Sequence, residues 1–149
     1  MIDIFFKLNG QTVLSQNLRL LNEVERENVL WIDLSSPTGE EKRAVEKFLD
    51  TTIQSRAQAE EIESSSRYSE TETTIFANTN FMIPSPENYN MEAVSFILSH
   101  SVLVSIRTVP LRSFTDIQRR LSANYKIYPT SFHILVSILE HRIAMDADM

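Results

Sequence analysis

Apolar and polar residues alternate at the start of the chain, with Ile4, Phe6 and Leu8 on one side of an extended segment and Asp3, Phe5 and Lys7 on the other. Asn9-Gly10 accepts the positive backbone angles of a tight turn, so Thr12-Val13-Leu14 is predicted to return as the second strand of a hairpin. The acidic stretch Glu23 to Glu27 reads as a solvated turn. After it, Val29-Leu30-Trp31-Ile32-Asp33-Leu34 is almost continuously apolar, the pattern of a strand covered on both faces. This strand is expected inside the sheet, with Trp31 mostly buried and its indole N–H near a partner. Ser36-Pro37 offers a cap and first-turn proline for a helix, and Thr38 with Glu41 offers a capping box instead. Ala44, Val45, Phe48 and Leu49 then share one helical face, while Glu40, Glu41, Lys42, Arg43, Glu46 and Lys47 cover the other.

Ala57, Glu60, Glu61 and Ser64 suit a short helix that Ser64-Ser65-Ser66 ends. Thr73 to Ile83 alternates cleanly, and Pro84-Ser85-Pro86-Glu87-Asn88 reads as a loop. Val94 to Leu98 and Val102 to Val109 flank Ser99-His100-Ser101 as a second hairpin, closed by Pro110. Phe114 to Leu121 is a short amphipathic helix, and Thr130 can cap a last one. Together these elements predict a mixed sheet of six to seven strands between helical layers.

The last helix carries two apolar stripes. Phe132, Leu135, Val136, Leu139 and Ile143 form one, and Ile134, Ile138 and Met145 form another. Phe132, Leu135, Val136 and Leu139 are expected against the sheet, and Ile134, Ile138 and Met145 partly exposed or in a lattice or subunit contact. No glycine, asparagine or proline marks a stop before Met149, so the pattern reads as a helix that continues past it.

At 149 residues the chain fits one globular domain. Without cysteine it has no disulfide, thiolate zinc site, iron–sulfur cluster or thiol catalysis. Lys plus Arg number 14 against 20 Asp plus Glu, and the net charge of −6 argues against a nucleic-acid surface and for cationic partners. Glycine occurs only at Gly10 and Gly39, which excludes dinucleotide fingerprints, phosphate loops and nucleophile elbows. His100, His133 and His141 lack metal spacing; His133 and His141 stand about 80° apart around a helix, poor geometry for a shared zinc. No catalytic residue is picked out, and the chain is read as a non-enzyme. Carboxylates cluster at Glu60, Glu61 and Glu63, at Glu40 and Glu41, at Glu70 and Glu72, and at Asp146 and Asp148. Such groups suit a hard cation such as Mg²⁺, but composition alone favours a solvated acidic face.

The order of these pieces resembles the cytosolic N-terminal domain of the CorA family of divalent-cation channels, whose superfamily includes the ZntB zinc transporters. The matching features begin with Trp31-Ile32-Asp33-Leu34, Pro37, Glu40-Glu41, the helix ending Phe48-Leu49, and Ala59-Glu60-Glu61-Ile62. They continue through the hairpin Val94 to Leu98 and Val102 to Ile106, the Phe114 helix and the run Ile134 to Leu139. Arg67-Tyr68-Ser69 stands where the family commonly has an Arg-Pro-Lys type of segment, and the family's Gly-Met-Asn triplet would lie beyond Met149.

The resemblance implies a three-layer α/β/α sandwich over residues 1–129, with residues 130–149 starting a long stalk helix that leads to membrane helices outside this sequence. It implies the sensing and gating domain of a magnesium channel, at the cytoplasmic face of the inner membrane and homopentameric in the full-length protein. The equivalent domain of a ZntB-like zinc transporter and a free-standing soluble interaction module are the alternatives. In the family, Mg²⁺ between neighbouring cytosolic domains neutralises facing carboxylates and holds the pore closed. Carried over, Glu61 is the metal ligand and Glu60 a second contributor, with Mg²⁺ as a weak regulatory ion and Mg²⁺, Zn²⁺ or Co²⁺ as the transported one.

Overall fold

The computed structural model describes residues 1–50, 68–70, 74–84, 89–123 and 130–148. Seven strands build one sheet: β1 (Ile2–Leu8), β2 (Gln11–Ser15), β3 (Val29–Ser35), β4 (Tyr68–Glu70), β5 (Thr74–Pro84), β6 (Tyr89–Ser99) and β7 (Val102–Arg107). Their spatial order is β2-β1-β3-β7-β6-β5-β4. The pair β3–β7 is parallel, with Asp33 opposite Ser105, and the other neighbours are antiparallel. Among the described residues three α-helices cover the sheet: α1 (Gly39–Leu49), α2 (Arg112–Ser122) and α3 (Ser131–Asp148). The expected mixed sheet between helical layers is what the chain forms.

Both hairpins turn where the sequence places them. Asn9 and Gly10 adopt φ 52° and 77°, the conformation their small or absent side chains permit. His100 and Ser101 take φ 49° and 65° between β6 and β7 without any glycine. There the paired strands, rather than turn chemistry, impose the left-handed geometry. The acidic stretch Glu23 to Glu27 starts between two 3-10 turns, Leu18–Asn22 and Arg26–Asn28, and ends within the second. Of the two possible caps for α1, Thr38 is the one used. Its hydroxyl accepts the Glu41 N–H at 3.1 Å, and the Glu41 carboxylate accepts the Thr38 N–H at 2.9 Å, a reciprocal capping box.

Each face of the sheet has its own apolar core. On one, Val45 and Leu49 of α1 pack with Ile4, Phe6, Ile32, Leu34 and Val104. On the other, Phe114, Ile117 and Leu121 of α2 and Ile134 and Ile138 of α3 cover Phe5, Trp31, Phe81, Phe96 and Leu103. β3 supplies both cores, which explains its continuous apolar run. A bulge helps: Phe5 pairs with Trp31 and Phe6 with Val29, so Leu30 is an extra residue and joins the same core as Trp31. Phe114 is the hub of the second core, its ring 5.4 Å from Trp31, 5.9 Å from Phe81 and 6.0 Å from Phe96.

The phase of α3 is opposite to the sequence-based expectation. Ile134 and Ile138 are fully buried, while Phe132 is 57% exposed; Leu135 and Leu139 only flank the core. Ser131 sets this phase. Its buried hydroxyl lies 2.6 Å from the carbonyls of both Leu30 and Ser101 and shares its one proton between them, which faces residues 131, 134 and 138 toward the sheet.

Candidate functional site

The proposed metal ligands Glu60 and Glu61 lie outside the described residues, as does the short helix expected around them. Among the described residues no three His, Asp or Glu side chains gather closely enough to hold a metal ion. No helix there is long and apolar enough to cross a membrane. Glu41 is already committed. It accepts the Met1 ammonium at 2.9 Å in addition to its capping contacts. Partial burial pushes its carboxyl upward, but the bond from Thr38, the ammonium and its charge outweigh that and hold it below the ordinary carboxylate value.

The most elaborate polar centre is one that local sequence patterns do not announce. Asp33, fully buried in β3, accepts two contacts from Arg107 Nε at 3.2 Å and one from Nη2 at 2.8 Å. Ser105 Oγ donates to it at 2.9 Å and Gln118 Nε2 of α2 at 3.0 Å. Ser105 in turn accepts the Trp31 indole N–H at 2.8 Å, the partner expected for that buried ring. Arg107 also reaches the Val109 carbonyl at 2.7 Å, and its guanidinium lies 5.3 Å from the centre of the Phe114 ring. Every oxygen of Asp33 is therefore occupied by the chain's own donors. The network ties the parallel strands to α2 and leaves no open coordination position, so it positions the fold rather than a ligand.

The histidines take structural posts. His133 Nδ1 lies 2.6 Å from the Thr130 hydroxyl, which also accepts the His133 backbone N–H at 3.4 Å and so caps α3. His141 bridges α3 to α2: Nδ1 lies 3.1 Å from Ser113 Oγ and Nε2 lies 2.9 Å from Asp116. Ser, His and Asp thus meet in space, but Ser113 is buried between the helices, closed to a substrate. Arg142 fastens the same stretch of α3 to β5 through the Asn80 carbonyl at 2.7 Å and the face of Phe81.

Comparison with known proteins places this scaffold. The model of the CorA-like Mg²⁺ transporter protein family matches residues 26–144. A magnesium transport protein CorA of Wolinella succinogenes is 32% identical over 154 aligned positions, covering all of this chain and 48% of the relative. A CorA of Campylobacter jejuni strain RM1221 is 28% identical with the same coverage. This chain thus spans about half the length of the curated relatives it matches. Among solved structures, full-length CmaX superposes with a TM-score of 0.70 at 14% identity over 99% of this chain and 46% of that one. The ZntB cytoplasmic domain of Vibrio parahaemolyticus and the CorA soluble domain of Methanocaldococcus jannaschii both give 0.64, at 14% and 16% identity. They cover 98% and 99% of this chain, and 60% of each of those structures is matched. These structural likenesses establish a shared α/β/α fold, and the family match over most of the sequence establishes more: the chain belongs to the CorA-like Mg²⁺ transporter family.

Proposed function

We propose that this chain is the cytoplasmic sensing and gating domain of a magnesium channel, not an enzyme, and that the transporter containing it is a homopentamer of the inner membrane. The observation that supports the reading most is the full-chain alignment to a protein named for magnesium transport, joined to the family match over residues 26–144. The fold alone does not separate magnesium from zinc, since the ZntB and CorA soluble domains superpose equally well. Sequence does favour magnesium over the ZntB-like reading, and family membership favours a transporter part over a free-standing module. In this reading residues 1–129 form the regulatory body, and residues 130–149 begin the stalk that links it to membrane helices.

Mg²⁺ is the proposed regulatory ion, held by Glu61 with Glu60 as the second contributor. Carboxylate oxygens suit this hard cation, which keeps several waters and needs few protein ligands. Zn²⁺ or Co²⁺ as the transported ion is the alternative cargo. The test is limited proteolysis and thermal melting of the full-length protein across a Mg²⁺ titration. Millimolar Mg²⁺ should slow cleavage and raise the midpoint, and Glu61→Gln should reduce both effects without unfolding the protein. If Mg²⁺ protects the Glu61→Gln and Glu60→Gln variants as well as the parent, these carboxylates are only a solvated acidic face.

A further inference from the structure

Basic residues that are scattered in the sequence meet along one groove on the outer side of α1. The groove runs between α1 and the 3-10 turns before β3, as two hollows of about 550 and 400 Å³. Asn22, Ala44 and Lys47 line both, so the hollows adjoin. Arg19, Arg43 and Lys47 rim the first and Arg26 adds to the second, with Glu40 as the lone acidic side chain of the described lining. All four cations are exposed, and none makes an ion pair with a described residue. Beneath them the floor is apolar: Leu21 is buried, and Ala44, Phe48 and Val24 are partly open.

This concentration runs against the chain's average. A protein of net charge −6 repels polyanions at long range, yet here four cations stand together without carboxylate partners. A small inorganic anion would use the charges but not the apolar floor. A nucleic acid carries its phosphates well past the four cations of this short groove and into the repulsive field of the rest of the molecule, whereas a short segment ends within it. An acidic peptide segment uses both features, because its carboxylates can meet the rim while an apolar side chain rests on the floor. The lining of α1 from Glu40 to Lys47 runs about 10 Å, two turns at 1.5 Å per residue, enough for a short segment.

We propose that this groove docks an acidic amphipathic segment of a partner protein, with Glu or Asp facing Arg19, Arg26, Arg43 and Lys47 and an apolar residue seated on Ala44 and Phe48. The reading is independent of the metal-site proposal, which concerns Glu60 and Glu61. The test is fluorescence anisotropy of this chain with a labelled peptide of repeated Glu-Glu-Leu triplets. Polyglutamate of equal length and inorganic tripolyphosphate serve as the comparison probes. The Glu-Glu-Leu peptide should bind, and Arg43→Glu with Lys47→Glu should weaken binding about tenfold or more at unchanged melting temperature. Arg19→Glu, on the opposite wall, should weaken it in the same direction. Raising the salt should lower affinity without abolishing it, since the apolar contact persists. Absence of binding, binding indifferent to these reversals, or equally tight binding of polyglutamate or tripolyphosphate would each overturn the proposal.

Discussion

Asp33 and Arg107 face each other at 2.8 Å across the parallel strands β3 and β7, with the carboxylate wholly buried and the guanidinium nearly so. A buried pair is costly to desolvate, and removing one partner strands the other charge. Arg107→Leu or Asp33→Leu should each destabilise the chain by about 3–5 kcal/mol. The double change Asp33→Leu with Arg107→Leu should cost less than the sum of its single changes. Urea unfolding of the four proteins checks this, and additive losses would mean that the pair is not coupled.

Ser105→Ala tests the next link in the network. It leaves the fully buried Trp31 indole N–H without its acceptor and removes one donor from Asp33. A loss of about 1–3 kcal/mol is expected from the orphaned donor. Trp31 is the chain's single tryptophan, so its own fluorescence follows the unfolding. A melting curve indistinguishable from the parent's would show that the indole finds another partner.

Glu41 makes a pH prediction. Its folded carboxyl titrates below the ordinary value of 4.5, so protons bind the unfolded chain more readily than the folded one in that range. The stabilisation is therefore complete above 4.5 and is lost as pH falls through the lowered folded value. Glu41→Gln should melt below the parent at neutral pH, and the gap should close at acidic pH. A gap that stays constant on acidification would assign the effect to packing of the cap instead of its charge.

The elements governed by local rules were legible in the sequence. Asn9-Gly10 announced its turn, and the apolar run of β3 announced a strand buried on both faces. The two caps of α1 were not distinguishable, because Ser36 becomes unsuitable only once it adopts φ 43° after the strand. Asp33 stood in that apolar run without visible partners, since Arg107 and Gln118 come from 74 and 85 residues away. The groove cations likewise converge only when α1 packs beside the 3-10 turns. The candidate ligands Glu60 and Glu61 came from family resemblance, and their surroundings lie outside the described residues.

The orientation of α3 is the point where sequence pattern and structure diverge, and it yields the clearest mutational contrast. Both apolar stripes satisfy helical periodicity, so period alone cannot choose between them. Ser131 chooses through its bonds to the Leu30 and Ser101 carbonyls, and His141 and Arg142 hold the same phase two to three turns later against α2 and β5. Ile138→Ala should therefore open a cavity beneath the helix and cost about 2–5 kcal/mol. Phe132→Ala removes a larger side chain that is mostly in solvent, and should change stability by no more than about 0.5 kcal/mol. Ser131→Ala should fall between them, at about 1–3 kcal/mol, because it removes the single O–H donor that the two carbonyls share. Chemical denaturation of the three variants ranks them. If Phe132→Ala were the most damaging, the helix would present its other stripe to the sheet, and the assignment of the exposed face would reverse with it.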